Sequence, residues 1–312
     1  MSAGIEAVSK VKEKNVVIEK PGKVTDRIFL LGRRESSIYL LKGEAEYAIL
    51  GGGMAYVVPE VMEQIKTFKI EEKKIRRIII LHSHFDHCGM VPFFKKHWPW
   101  AKIIASQRAK DLLSDPRVAE SIRSFNQELL IEYDRENQAK KLGFEFSGIA
   151  IEEVVKEGDV LACGDLLLEV LEVPGHSSCS IAVYVPREKA MFASDAGGVP
   201  FGDHIFTAAN SNFDKYQKSL ERMAGYEIDV LLAEHFGART NDDARGYMKK
   251  SMASAAKTRN LLEESYARTK DIEKSTEEIT DRFMAEVPHN FLSREVFALV
   301  INQMLKYISR QM

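Results

Sequence analysis

The sequence is poor in cysteine: only three occur among 312 residues, and no two of them lie close together along the chain. An odd number of separated cysteines argues against a disulfide framework and is typical of a reducing compartment. Thiolates are also too few to build a metal site by themselves. Any metal ligands are therefore expected to be mostly histidines and carboxylates.

The sequence also lacks an excess of charge of either sign, with 44 basic and 46 acidic side chains. No overall field favours nucleic acid or an anionic membrane through counterion release. Long apolar runs are missing as well: the first 17 residues contain no stretch typical of a signal peptide, and no later run approaches a membrane span. We expect a cytoplasmic protein whose partner is a small molecule, with no nucleic-acid or membrane partner.

The order of apolar runs predicts two α/β halves packed together in one domain over residues 1–241. The first half contains a helix after Val57 and an apolar strand at 78–81 that ends directly at His82. The second half contains a helix around residues 216–223. The other predicted strands are 16–19, 27–31, 37–42, 47–50, 166–173, 180–185, 190–193 and 228–233.

Two regions have a purely helical pattern. Residues 107–141 are charged and free of glycine, and they are interpreted as a helical insertion that Pro116 divides into two helices. Residues 242–312 form a C-terminal helical extension, with a capping box predicted at Ser275-Thr276-Glu277-Glu278. The extension is expected to be a cap over the site, a homodimer surface, or a layer that packs on the core. Its closing apolar stripe comprises Phe297, Ile301, Leu305 and Ile308.

Four potential metal ligands lie within six residues, although the chain holds only eight histidines. Residues two apart share one side at the end of a strand, so His82 and His84 can bind one ion. Asp86 and His87 lie beyond the turn and can address a second ion. The alternative is a cluster of exposed loop residues, but this density of ligand types favours a metal site.

Three further side chains of ligand type occupy equivalent positions. His176, Asp195 and His235 each lie just past a predicted apolar strand. The carboxyl ends of strands form the crevice where α/β folds bind ligands, so this recurrence is stronger evidence than any one motif. The sequence thus predicts a centre built from seven side chains.

The H-x-H-x-D-H motif at 82–87, together with the three downstream residues, resembles the metallo-β-lactamase superfamily over about residues 25–240. Residues 84–93 are similar to the branch that contains the quinolone-signalling thioesterase. The resemblance implies a four-layer αβ/βα sandwich, here with a C-terminal helical extension. It also implies that Asp195 bridges two metals, the first held by His82, His84 and His176 and the second by Asp86, His87 and His235.

Two positions depart from the pattern of many members. Gly51-Gly52-Gly53 stands where many have an aspartate after an early strand, and Ala233-Glu234 stands where many have Pro-Gly before the last ligand. Neither change removes a ligand. Glu234 is interpreted as a solvated charge, with a partner for a ligating imidazole as the alternative. Cys88 is interpreted as a small packing residue beside the site.

The predicted ligands suit two divalent metal ions, zinc or iron, with manganese as a further option. Metals lower the pKa of bound water from about 15.7 to near 7. The predicted nucleophile is therefore a hydroxide that bridges the metals and that Asp86 orients. A net positive pocket would favour the developing oxyanion. The expected activity is hydrolysis at a carbonyl or phosphoryl centre.

The leaving group decides the substrate class. A thiolate leaves with little proton assistance, and no general acid is evident beside the motifs, so a small acyl thioester is the first choice. Hydrolysis of a lactone or of a phosphodiester remains an alternative, as does a regulatory protein with little turnover. Redox chemistry is disfavoured because flavodiiron proteins carry glutamate where His84 stands. Substrate contacts are expected from the insertion, the terminal helices and the loop 197–210, where Phe201, His204 and Phe206 are candidates.

Overall fold

The structure is a computed structural model that describes residues 16–144, 146–286 and 293–312. Its strands, in chain order, are β1 (Val16–Ile18), β2 (Gly22–Lys23), β3 (Ile28–Arg33), β4 (Ser36–Lys42), β5 (Tyr47–Leu50), β6 (Ile75–Ile79), β7 (Lys102–Ser106), β8 (Glu153–Val155), β9 (Val160–Cys163), β10 (Leu166–Glu172), β11 (Ile181–Val185), β12 (Ala190–Phe192), β13 (Val199–Phe201), β14 (His204–Phe206), β15 (Val230–Leu232) and β16 (Ala238–Thr240). Its helices are α1 (Val58–Thr67), α2 (Val91–His97), α3 (Gln107–Leu113), α4 (Pro116–Glu132), α5 (Glu136–Lys141), α6 (Phe213–Met223), α7 (Asp242–Thr269), α8 (Ile272–Glu286) and α9 (Arg294–Ile308).

The strands form two seven-stranded sheets and one separate hairpin. The first sheet has the order β2-β3-β4-β5-β6-β7-β8, and the second has the order β1-β16-β15-β12-β11-β10-β9. The hairpin pairs β13 with β14 inside the segment that the sequence analysis treated as a loop. Each large sheet is therefore built almost entirely from one half of the chain, and β1 alone crosses to the sheet of the other half.

Successive residues of a strand point to opposite faces, and here both faces of the central strands β5, β11, β12 and β15 are buried. In β3, Ile28 and Leu30 pack against the second sheet, whereas Phe29 and Leu31 pack beneath the helices. One apolar cluster lies between the sheets, a second between the first sheet and the helices that precede β8, and a third between the second sheet and α6 to α9. The predicted four-layer αβ/βα sandwich is confirmed.

The helical insertion begins as predicted and has one more break than predicted. Pro116 opens α4, and the Asp115 carboxylate accepts a hydrogen bond from the backbone N–H of Arg117 at 2.9 Å. Proline is favoured at this position because its missing N–H would have no partner inside the helix. A second interruption follows at Asp134, whose φ is +52°, so the prediction of two helices is wrong. The region forms three helices.

The predicted capping box is also wrong, because Ser275, Thr276 and Glu278 lie inside α8 and not at its start. The Asp271 carboxylate accepts hydrogen bonds from the backbone N–H groups of Glu273 and Lys274 at 3.0 and 3.1 Å. An aspartate just before a helix supplies the missing acceptor for its first turn. The helix therefore begins one turn earlier than the sequence pattern suggested.

The closing stripe of α9 is fully buried inside this chain. Phe297, Ile301 and Leu305 have no exposed surface and pack in the cluster beneath the second sheet. This face is therefore part of the outer helical layer and is not available as a dimer surface. Among the described helices, none combines the length and the hydropathy that crossing a bilayer requires.

Leucine-to-alanine changes on α9 test this packing. Leu305→Ala removes a side chain with no exposed surface and should lower the free energy of unfolding by about 2–5 kcal/mol, since it leaves a cavity. Leu299→Ala on the same helix, where the side chain is 59% exposed, should change it by less than about 0.5 kcal/mol. Urea unfolding of both variants makes the comparison. Equal losses would show that α9 does not pack as described.

Candidate metal centre

The predicted ligands lie past the ends of strands that share one edge of the sandwich. Strand β12 runs parallel to β15, and β10 runs in the same direction because β11 pairs antiparallel with both β10 and β12. His176, Asp195 and His235 follow these three strands, and the motif of the first half follows β6. Both sheets therefore deliver ligands to one place.

A first group contains three imidazoles in direct contact. The Nε2 atom of His176 lies 3.2 Å from Nε2 of His82 and 3.0 Å from Nδ1 of His84. His82 has no exposed surface and His176 is 3% exposed. Three ring nitrogens that converge at these distances can serve as ligands of one ion.

A second group contains Asp86, His87 and His235. The Nε2 atom of His87 lies 3.3 Å from the Asp86 carboxylate and 3.1 Å from Nε2 of His235. His235 Nε2 lies 3.4 Å from the same Asp86 oxygen. This trio can serve as ligands of a second ion.

Asp195 lies between the two groups. Its Oδ2 atom is 3.5 Å from His176 Nε2 in the first group, and 3.2 Å from His87 Nε2 and 3.7 Å from His235 Nε2 in the second. Its other oxygen, Oδ1, is buried without a hydrogen-bond partner. A buried carboxylate oxygen without a partner is costly, and an ion at this position would remove that cost.

The hydrogen bonds made by the outer ring nitrogens show which nitrogen of each imidazole faces the cluster. His176 and His235 donate from Nδ1 to the carbonyl oxygens of Ala208 and Glu35, at 2.8 and 2.7 Å. A carbonyl can only accept, so the proton is on Nδ1 and Nε2 is free to bind a metal. In the first group, uncharged rings then turn lone pairs toward one another. Such an arrangement fits a cation at its centre.

The pKa shifts have opposite directions in the two groups. Burial, followed by the neighbouring imidazoles, holds the pKa of His82 well below its usual value and that of His84 at about 3, so both rings are neutral. Burial acts in the same direction on His87, but Asp86, Asp195 and Glu234 outweigh it and raise its pKa well above 6.5. The carboxylates thus attract positive charge into the second group. The same attraction would act on a divalent ion.

Two residues beside the ligands have a strained backbone. Ser194 precedes Asp195 with φ of +49°, and Phe236 follows His235 with φ of +57°. Residues other than glycine seldom adopt this conformation, which costs about 1–3 kcal/mol and occurs preferentially at functional sites. Both turns redirect the chain immediately beside a predicted ligand.

Glu234 is not the solvated charge that the sequence analysis favoured. The residue is 2% exposed, and its Oε2 atom lies 3.1 Å from Nδ1 of His87. The prediction was wrong because the sequence shows only that residue 234 follows a strand. It does not show which way the side chain points. Cys88, in contrast, is fully buried and donates to the His84 carbonyl at 3.1 Å, as expected of a packing residue.

Comparison with known proteins decides the family. A family model described as the metallo-beta-lactamase superfamily matches residues 31–235. The chain belongs to the metallo-β-lactamase superfamily. A metallo-β-lactamase family protein of Thermus thermophilus has a similar fold, with a TM-score of 0.62 at 18% identity over 91% of this chain and 94% of its own.

Two curated relatives match the chain by sequence at low identity. An acyl-coenzyme A thioesterase of Gallus gallus is 25% identical over 68% of this chain and 76% of its own length. A hydroxyacylglutathione hydrolase of Methylobacterium nodulans is 24% identical over 44% of this chain. The matched part spans only 40% of that hydrolase. Members of this superfamily typically bind divalent metals, and the clusters described above are able to hold them.

In this superfamily member the centre opens to solvent on one side. The Asp86 and His235 side chains are 20% and 13% exposed, whereas His82 and His87 are almost fully covered. Phe85, next to Asp86, stacks on Phe125 of α4 with ring centroids 4.8 Å apart. The opening of the centre therefore lies beside an aromatic pair, with one ring from the ligand loop and one from the insertion.

Asn126 is a residue that the sequence analysis missed. Its buried side chain accepts from the N–H of Ala55 at 2.9 Å and donates to the carbonyl of Phe85 at 3.1 Å. It thereby fastens the insertion to the ligand loop. A single asparagine within a charged helix has no sequence signal for this role, because its partners lie 71 and 41 residues away.

The three candidate substrate contacts lie in different surroundings. Phe201 is buried and packs edge-on against Phe236, the neighbour of His235, with centroids 4.9 Å apart. His204 is exposed. Phe206 packs against Phe297 of α9 and so belongs to the apolar cluster beneath the second sheet. Phe201 thus contacts a neighbour of a predicted ligand, and it belongs to the same apolar cluster as Phe206.

Histidine variants test the ligand assignment. The wild-type protein should bind two divalent ions per chain, and His84→Ala should lower that number because the first group loses a ligand. His97→Ala is the matched control, since His97 is partly exposed and contacts only Glu72 and nearby rings in the described structure. Elemental analysis after dialysis measures both. Full metal content in His84→Ala would exclude His84 as a ligand.

Removal of the metals should also lower stability. Ions that bind only the folded chain stabilise it by about 2.7 kcal/mol when present at a hundred times their Kd. We expect a chelator to lower the Tm of the wild type and to lower that of His84→Ala by less. An identical fall in both proteins, measured by calorimetry, would contradict a role of this cluster in metal binding.

Proposed function

We propose that this chain is a dinuclear metal-dependent hydrolase of small acyl thioesters. The observation that carries the proposal is the position of Asp195, whose carboxylate lies within 3.7 Å of ring nitrogens from both ligand groups. Such a bridging carboxylate would keep two ions close enough to act on one substrate. Zinc and iron are the proposed metals, and a cytoplasmic location is part of the same proposal.

The predicted ligands would hold the two ions, and one of them would also orient the attacking water. His82, His84 and His176 would hold one ion, and Asp86, His87 and His235 the other. Bound divalent ions supply a polarised carbonyl and a water of lowered pKa. Asp86 is the more exposed of the two cluster aspartates, so its carboxylate can also accept a hydrogen bond from the attacking water and fix its direction.

A thioester is the proposed substrate because the centre would have no side chain free to protonate the leaving group. In thioester hydrolysis a C–O bond forms, the C–S bond breaks, and the sulfur leaves as a thiolate that needs little protonation, because the pKa of a thiol is near 8.5. The seven side chains of the centre would be committed to metals, and none of them would be left as a proton donor. An alkoxide or amine leaving group would need such a donor.

The surroundings of the opening suit an acyl group. Phe125 is 46% exposed although it stacks on Phe85, and it therefore offers apolar surface beside Asp86. Burying such surface contributes roughly 25 cal/mol per Å². The names of the two curated relatives also support the proposal, since acyl-coenzyme A and hydroxyacylglutathione are both thioesters.

A substrate panel tests the reaction class. The metal-loaded wild type should hydrolyse acyl thioesters faster than a lactone or a model phosphodiester, and His84→Ala should lose most of this activity because one ion is no longer held. Thiol release gives the rate. Preference for the lactone or the phosphodiester would move the protein to another branch of the superfamily. Equal background rates in both proteins would favour a regulatory role.

Phe125 should favour the hydrolysis of thioesters with long acyl chains. Phe125→Ala removes the exposed ring, and we expect kcat/KM for a long-chain acyl thioester to fall about fivefold, for a loss near 1 kcal/mol, with acetyl thioesters unaffected. Ile131→Ala is the control, since Ile131 is 56% exposed on the same helix and faces another direction. Equal effects of both variants would remove α4 from the proposed substrate site.

A further inference from the structure

Glu234 contacts the side of the ligand rings that faces away from the cluster. Its Oε2 atom lies 3.1 Å from Nδ1 of His87 and accepts a hydrogen bond from the Ser194 hydroxyl. The same hydroxyl lies 3.1 Å from Nδ1 of His82. Because the Ser194 proton points to Glu234, the serine oxygen is the acceptor for the Nδ1 proton of His82. One carboxylate thus reaches one histidine in each ligand group.

The backbone around Glu234 is tied to the opposite sheet. The Glu234 carbonyl accepts from the N–H of Ser37 at 2.8 Å, and the Tyr39 hydroxyl donates to the Ala233 carbonyl at 2.6 Å. Both partners belong to β4 of the first sheet, whereas Glu234 follows β15 of the second. The backbone that carries this carboxylate is therefore held between the two halves.

Gly51 provides the space for this carboxylate. A Cβ atom on residue 51 would lie 2.4 Å from Oε1 of Glu234, well inside van der Waals contact. The N–H of Gly51 donates to the carbonyl of Ile79 at the end of β6, so the backbone cannot easily move away. Its φ of +88° adds a second reason for glycine. The two departures noted in the sequence, at 51 and at 234, thus meet in space.

We propose that Glu234 is a positioning residue that holds His82 and His87, one ligand from each group, with Nε2 toward the metals, and that Gly51 is glycine because this carboxylate fills the place of its side chain. The inference rests on the metal centre of the proposed function. A carboxylate behind a ligating imidazole fixes the tautomer and the orientation of the ring. Here a single carboxylate would do so for both ions.

Zinc binding tests the positioning role without any measurement of activity. Full-length metal-free protein is titrated with Zn²⁺ against a chromogenic chelator. The wild type should bind two zinc ions, and Glu234→Gln should bind both about 10- to 100-fold more weakly, since one ligand of each group loses its support. Glu227→Gln, at a surface ion pair with Lys189, should bind zinc like the wild type.

The pattern across the two zinc ions separates this role from others. Ser194→Ala should weaken mainly one zinc ion, because only the connection to His82 is lost. Unchanged zinc affinity in Glu234→Gln would overturn the inference. So would a third zinc ion in the wild type that is lost in Glu234→Gln, since Glu234 would then itself be a ligand.

A double-mutant cycle tests the pairing of Gly51 with Glu234. Gly51→Ala alone should weaken zinc binding, because the new methyl group displaces the carboxylate. In the Glu234→Ala background the same change should weaken zinc binding less, because the clash with the carboxylate is gone. Any effect of backbone strain is common to both backgrounds and cancels in the cycle. Equal effects in both backgrounds would show that residues 51 and 234 do not compete for the same space.

Failure of the inference about Glu234 can be distinguished from failure of the proposed thioesterase function. A wild type that binds two zinc ions but hydrolyses no thioester would remove the thioesterase proposal and leave the role of Glu234 intact. A wild type that hydrolyses thioesters, together with a Glu234→Gln variant of unchanged zinc affinity, would do the reverse.

Discussion

The convergence of buried ligand atoms at one edge of the sandwich is the constraint on which the rest of the structure depends. Neutral imidazoles of the first group turn lone pairs toward one another, and the carboxylates of Asp86 and Asp195 lie beside them. The lone pairs of the first group repel one another in a medium of low dielectric constant, as do the two carboxylates, unless cations lie among them. The fold must hold them together against that repulsion, and a bound ion turns the same geometry into tight coordination.

The sandwich core is what resists this repulsion. The first sheet supplies the motif from His82 to His87, and the second supplies His176, Asp195 and His235. The apolar cluster between the sheets holds the two halves together. Leu81 and Phe192, which lie close to predicted ligands along the chain, belong to this cluster. The insertion then covers one side of the opening, where Asn126 and Phe125 contact the ligand loop. In the proposed function, substrate choice and metal binding would therefore depend on different parts of the chain.

Glu234 changes the electrostatic description of the centre. With only Asp86, Asp195 and a hydroxide as anions, two divalent ions would leave the pocket positive. The Glu234 carboxylate, buried and in contact with His87, would cancel that excess. Stabilisation of an oxyanion would then depend on the local position of the ions relative to the substrate and less on a net positive pocket.

The sequence by itself determined the fold class and the seven predicted ligands, because apolar strands and the ligand types that follow them are local patterns. It missed short strands such as β7 and β8, and it placed the start of α8 one turn late, since Asp271 was not recognised as the cap. Only the tertiary structure decided the direction of side chains and the pairing of distant positions. Gly51 and Glu234 are 183 positions apart, and no local pattern reports that one leaves the space which the other fills. Local chemistry predicted the ligands, whereas long-range packing decided which residues lie behind them.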